Sequence, residues 1–184
     1  MVEVVVGEVG VAGGVVLRML RTDDASRLAD AYERNREHLA HWDPVRSEAF
    51  FTESGQAAEI DRALQARLAG VMMPLVLESG GEIVGRANIT GITRGAFQNA
   101  SLGYWIDARF AGHGVMTATV AETLRLAREE LRLHRIEAST LPENAASQAV
   151  LRQNGFEKIG EAPRYLKIAG RWQDHLLFQR ILHD

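Results

Sequence analysis

The 184-residue sequence predicts a single α/β domain in which a mixed, mostly antiparallel sheet of six to seven strands is flanked by about four helices. Three observations predict it. A strand followed by a helix opens the chain, three strand-like segments then follow one another directly, and the second half alternates helix with strand. With 46% hydrophobic residues the chain can bury one sizeable core, and no linker, repeat or low-complexity tract divides it. The domain is expected over 15–184, with residues 1–14 as an N-terminal extension, either mobile or an extra strand.

Val15 to Leu20 reads as the first strand, and Thr22, Asp23 and Asp24 supply an N-cap and an acidic first turn for a helix from about Ala25 to His38. His41-Trp42-Asp43-Pro44 breaks that helix, and Ala57, Ile60, Leu64 and Leu68 mark a second one from Glu53, ended by Gly70. Met73 to Glu78, Ile83 to Ile92 and Ala100 to Asp107 form a meander, with Ser79-Gly80-Gly81 as the first turn. In the third of these, Leu102, Tyr104 and Ile106 alternate with Ser101, Gly103 and Trp105. Both sets include a bulky residue, which places this strand centrally. Met116, Val120, Leu124, Ala127 and Leu131 then stripe a long helix, Arg135 to Leu141 is a short strand, and Asn144 to Asn154 is a helix closed by Gly155. Two strands around Ala169-Gly170 complete the chain.

Composition removes several classes of function. A net charge of -3 with mixed signs gives no broad basic field for nucleic acid. The absence of cysteine excludes disulfides, thiolate-bound metals and a cysteinyl acyl-enzyme, and points to a reducing, cytoplasmic setting. Met1 to Gly14 carries Glu3 and Glu8 and lacks the basic start of an export signal. No apolar run approaches the roughly 20 residues that span a bilayer, so no membrane association is expected. His38 and His41 could share a helical face, but no third ligand stands at a recognised spacing, and no metal is expected.

The chemistry concentrates at Arg109-Phe110-Ala111-Gly112-His113-Gly114. These residues lie between a strand end and a helix start, where unpaired amides and the helix dipole favour an anion, glycines allow close approach, and Arg109 adds charge at the rim. Val115 and Met116 exclude a P-loop, and Thr117 excludes the dinucleotide fingerprint. A tight turn with a glycine N-cap explains the same six residues.

Arg109, Gly112 and Gly114 match the Arg/Gln-x-x-Gly-x-Gly/Ala motif of the GNAT superfamily of acyl-CoA N-acyltransferases. The sequence resembles its RimJ/RimL branch of ribosomal-protein N-terminal acetyltransferases through further pieces in family order. These are Leu39 with Trp42 and Pro44, Leu102 to Ile106, Asn144 to Ser147, Leu151 to Phe156, and Gly170 to Asp174. The resemblance implies the GNAT fold, acetyl-CoA as cosubstrate, a monomer or homodimer, and no direct contact with nucleic acid. It implies that the backbone of Trp105 and Ile106 pairs with pantetheine, and that the amides of Phe110, Ala111, Gly112, His113, Gly114, Val115 and Met116 hold the pyrophosphate. Asn144 and Ser147 would lie beside the pantetheine and sulfur, with Ser147 as the catalytic donor to the departing thiolate, whose pKa is about 8.5. Trp42 and Tyr104 are the expected acceptor contacts.

Without a cysteine, direct attack by an amine in a ternary complex is the expected route. The favoured acceptor is a protein or peptide N-terminal α-amine, because its pKa of about 7.7 to 8.0 leaves it partly neutral, whereas lysine at about 10.4 needs a strong base. Glu48, Asp43, Asp174 and His175 border the expected cleft, but none is singled out as base. Where the family's ribosomal members carry Glu before the Tyr that matches Tyr165, this chain has Arg164. A small-molecule amine such as a polyamine, aminoglycoside or amino acid is the alternative acceptor, and a noncatalytic acyl-CoA sensor the alternative class.

Overall fold

The computed structural model describes residues 7–183 and contains one eight-stranded sheet in the order β1-β2-β3-β4-β5-β6-β8-β7. Its strands are β1 (Val9–Gly10), β2 (Val16–Met19), β3 (Met72–Ser79), β4 (Glu82–Thr93), β5 (Asn99–Ile106), β6 (Arg135–Thr140), β7 (Glu157–Ile168) and β8 (Arg171–Ile181). The helices are α1 (Ala25–Arg34), α2 (Arg36–Ala40), α3 (Glu53–Leu68), α4 (Val115–Glu129) and α5 (Ala145–Gln153). Every neighbouring strand pair is antiparallel except β5 with β6.

The mixed α/β class is the expected one, and both element counts are one higher than the sequence suggests. The additional strand is β1, where Val9 pairs with Leu17 and Gly10 with Val16; residues 1–6 of the expected extension lie outside the described residues. The additional helix arises at Asn35, which divides the segment expected to run unbroken from Ala25 to His38. Its buried side chain donates to Ala31 O at 2.9 Å and to Asp107 Oδ2 at 3.0 Å. A side chain that bonds back onto its own helix while holding a distant loop ends the regular turn.

Helices cover both faces of the sheet. On the back, α4 and α5 pack on Leu17, Leu75, Ile89, Leu102, Ile136 and Phe178. On the front, Leu28 and Tyr32 of α1 and Ile60 of α3 pack on Val76 and Ile83. The buried stripe of α4 is rotated from the apolar one read in the sequence: Thr119 and Thr123 are buried and Leu124 is only partly so. Their hydroxyls donate to Val115 O and Thr119 O at 2.9 and 2.8 Å, which removes the cost of burying them.

The ladder between β5 and β6 creates the main irregularity. It is parallel and holds only three residue pairs, Asn99 with Arg135, Ala100 with Ile136 and Ser101 with Glu137. On its other side β5 stays paired with β4 as far as Ile106 with Gly85. The β5 edge from Leu102 to Ile106 therefore has no strand partner, and the sheet opens there as a wedge.

Candidate active site

The wedge leads directly into the glycine turn. After β5, Asp107 opens a short 3-10 turn (Ala108–Phe110), and Ala111 returns to extended backbone. Gly112 and Gly114 both take left-handed φ values, 79° and 77°, and Gly114 is the N-cap of α4. Only glycine adopts this conformation without strain. Among the described residues the amides of Gly112, His113, Gly114, Val115, Met116 and Thr117 have no protein acceptor. Six consecutive free donors at the positive end of a 15-residue helix make an anion cradle. A Cβ built on either glycine meets nothing within 4 Å, so the cradle is open to a ligand.

Asp107 fixes the entrance to this turn. Its carboxylate is buried and accepts from Arg34 Nε at 2.8 Å, Asn35 Nδ2 at 3.0 Å and the Arg109 amide at 2.9 Å, while Asn35 Oδ1 accepts from Ala108 N at 3.0 Å. Burial alone raises the Asp107 pKa, but hydrogen bonds from Arg109, Arg34 and Asn35 override it and hold the carboxyl well below the usual carboxylate range. The Arg109 guanidinium also bonds Asp107, at 3.0 Å, and Glu82 at 2.8 Å. It is thus neutralised by two carboxylates, and the positive potential of the cradle comes from backbone amides and the α4 dipole.

On the back face of β5, the Tyr104 hydroxyl lies 2.8 Å from Ser147 Oγ and also donates to Ser147 O at 3.3 Å. The sequence reading put Tyr104 against the acceptor; the structure brings it to Ser147. Burial pushes the Tyr104 phenol up to about 12, against the opposing pull of the Ser147 hydrogen bond, so it remains a proton donor at neutral pH. Asn144 caps α5, its Oδ1 accepting from Ser147 N at 2.9 Å, and its Nδ2 has no acceptor among the described residues. Asn154 Nδ2 donates to Thr117 O at 3.2 Å and Thr117 Oγ1 to Gln153 Oε1 at 3.0 Å, which ties the cradle helix to the helix carrying Ser147.

The front face borders the wedge differently. Trp105 Nε1 donates to Tyr32 Oη at 3.1 Å, and Tyr32 packs edge-on against Phe50. Tyr32, Leu39, Pro44, Val45, Phe50 and Phe51 line an apolar cavity of about 190 Å³. Trp42 is half-buried, edge-on to His41, and its loop reaches the β7–β8 turn through Ala169 N, which donates to Asp43 O at 3.0 Å. A second cavity of about 80 Å³ includes Ser101, Leu102, Glu137, Ser139 and Tyr165 at the mouth of the wedge. Glu137 has no hydrogen-bond or ion-pair partner among the described residues. The sequence reading missed it, although Ile136, Ala138 and Thr140 alternate with it as buried residues, which turns Glu137 to the opposite face.

The four carboxylates and imidazoles considered as bases have separate roles. Glu48 is exposed, and its ion pair with Arg36 lowers its pKa. Asp174 Oδ1 accepts from the Arg164 amide at 2.8 Å, and His175 is buried with Nδ1 3.1 Å from Gln173 O. Burial raises the Asp43 carboxyl, with Arg46 opposing. A cavity of about 630 Å³ is bordered by Gln98, Arg128, Glu129, Arg132 and His183 and shares no residue with the cradle. No helix among the described residues is long and apolar enough to cross a membrane, and they contain no cluster of three potential metal-ligating side chains.

Comparison with known proteins gives the chain's relatives. A family model described as an acetyltransferase (GNAT) domain matches residues 15–157. The chain is 36% identical over 165 residues to the ribosomal protein uS5-alanine N-acetyltransferase of Escherichia coli (strain K12), covering 89% of this chain and 85% of the relative. It resembles the crystal structure of ribosomal-protein-S5-alanine acetyltransferase from Vibrio fischeri with a TM-score of 0.92 at 33% identity, over 97% and 98% of the two chains. It also resembles Mycobacterium smegmatis RimJ in complex with CoA-disulfide, with a TM-score of 0.89 at 34% identity over 95% and 86%.

Proposed function

The chain belongs to the GNAT acetyltransferase family, and from that premise we propose that it transfers the acetyl group of acetyl-CoA to the N-terminal α-amine of a protein, a ribosomal protein being the first acceptor to test. The observation that carries the proposal is the row of free amides from Gly112 to Thr117, continuous with the unpaired β5 edge from Leu102 to Ile106. The amides of Gly112 to Met116 would hold the pyrophosphate; those of Phe110 and Ala111, expected to join them, instead donate to Asp107 O at 2.9 Å and Ala108 O at 3.3 Å. The backbone of Trp105 and Ile106, with Asn144, would hold the pantetheine and bring the thioester toward Ser147.

In this seating the neutral amine attacks the thioester carbonyl, a C–N bond forms, the C–S bond breaks, and the products are an N-acetyl amide and CoA thiol. Ser147 supplies a proton to the departing sulfur. The Tyr104 hydroxyl, 2.8 Å from Ser147 Oγ, holds the serine hydroxyl in place beside that sulfur. The amine gives up its own proton to Glu137 or to solvent, and a solvent proton returns to Ser147, which restores the balance. With a pKa of about 7.7 to 8.0, an α-amine needs only a modest acceptor.

Acetyl-CoA-dependent thiol release should be measured with a peptide copying a ribosomal-protein N-terminus, the same peptide already acetylated, and a panel of small amines. Turnover on the free peptide and none on the blocked one is expected. Preference for a small amine over every peptide would overturn the acceptor assignment.

A further inference from the structure

We propose that Arg86 forms a carboxylate-reading subsite on the front face beside the wedge, so that the preferred acceptor carries a carboxylate close to its reacting amine. The inference rests on the acetyltransferase reading above. Arg86 is only 8% exposed, yet it has no carboxylate within ion-pair distance among the described residues, and its buried Nε has no hydrogen-bond partner. Its contact with protein is a long one, Nη2 to Asn88 Oδ1 at 3.4 Å. The other buried arginine shows how this fold ordinarily satisfies a guanidinium: Arg18 forks onto Asp24 at 2.8 and 2.9 Å and also bonds Glu78 and Met19 O. A buried cation left without such partners is costly unless something else supplies them.

Position says what that would be. Arg86 is register partner of Trp105 in β5 and of Val76 in β3, so all three share the front face. The contact with Asn88 turns the guanidinium along the strand toward the next rung, where Asn88 faces Gly103. Gly103 is exposed, has no side chain, and a Cβ built on it would meet nothing within 4 Å. It also lies on the unpaired β5 edge, where the thioester arm is seated in the proposed function. The guanidinium therefore borders open space next to the reacting centre. A planar fork of N–H donors matches a carboxylate in two-point geometry. A protein N-terminus with Asp or Glu among its first residues presents one there, and so does the α-carboxylate of a free amino acid.

The test uses the full chain with two matched acceptor pairs: a short peptide with Glu at its second position against its Gln isostere, and free alanine against alaninamide. Turnover is followed by thiol release, and peptide binding to the CoA-loaded protein by calorimetry. The wild type should favour the Glu peptide by roughly 10- to 100-fold in kcat/KM and in affinity, the range for a hydrogen bond to a charged group. Arg86→Gln should erase that margin, leaving the Gln peptide and acetyl-CoA affinity unchanged, and Arg86→Lys should retain part of it. A preference confined to free alanine over its amide assigns the carboxylate to a free amino acid and still supports the subsite. Equal use of both members of each pair by the wild type, or a margin that survives Arg86→Gln, overturns it. A margin in binding without turnover on any acceptor supports Arg86 while refuting the acetyltransferase reading.

Discussion

At the scale of single residues, the chemistry rests on a hydroxyl pair and the loop on one carboxylate. Ser147→Ala should lower kcat about 100-fold, the lower range for a general acid, with acetyl-CoA affinity retained. Tyr104→Phe removes one hydrogen bond from Ser147 and should lower kcat about fivefold, from about 1 kcal/mol. Steady-state kinetics with direct cosubstrate titration separates both from a binding defect; parallel loss of affinity would make the pair structural. Asp107→Ala removes the acceptor of Arg34 Nε, of the Arg109 amide and of one Asn35 Nδ2 proton, and should cost about 2–3 kcal/mol, read as a Tm lower by roughly 4–12 °C. Asp107 and Asp24 both have folded pKa values below their unfolded ones, despite burial that raises them, because hydrogen bonds to arginines and amides dominate. Their contribution is complete above the unfolded value of about 3.9 and is lost as pH falls through the folded values. Denaturation midpoints should therefore fall on acidification below about pH 4 in the wild type, and less steeply in Asp107→Ala. Asn35 and Asp107 were not legible as a pair because 72 residues separate them. Arg109 was legible as a motif residue, but its two acidic partners were not.

At the scale of elements, the start of α4 shows what local pattern encodes and what it leaves open. The two glycines, the preceding strand and the amphipathic stripe after them all announced a helix start. The structure adds that the turn needs left-handed φ at both glycines and that the space beyond is empty. Gly112→Ala should cost roughly 1–2 kcal/mol of backbone strain while admitting the cosubstrate. Gly112→Asp adds a negative charge facing the phosphates, and should abolish acetyl-CoA binding by calorimetry while circular dichroism still reports a folded protein. Unchanged affinity in Gly112→Asp would remove the pyrophosphate from this turn. By contrast, the break between α1 and α2 left no mark in the hydrophobic spacing. It depends on a tertiary hydrogen bond from Asn35 that periodicity cannot register.

At the scale of the whole molecule, the sheet is continuous but unequally stitched. The meander from β3 to β5 was readable from alternation, because each strand lies beside its sequence neighbour. The wedge was not readable, because it depends on how far β5 and β6 stay in register, and 28 residues containing α4 separate them. The consequence is testable without any acceptor. A ligand seated along Leu102 to Ile106 and clamped at the start of α4 bridges the two sides of the wedge, and binds only the folded chain. At 100 times its Kd, acetyl-CoA should add about 2.7 kcal/mol, a rise in Tm of roughly 5–11 °C for a domain of this size. Amide hydrogen exchange should slow selectively over residues 112–117 and along the open edge of β5, since the donors of 112–117 otherwise have no protein acceptor among the described residues. The β3–β4 ladder, already paired on both edges, should change little. Protection spread evenly over the sheet, or concentrated near Arg128 and Arg132 at the far end of α4, would place the ligand elsewhere and remove the wedge from the mechanism.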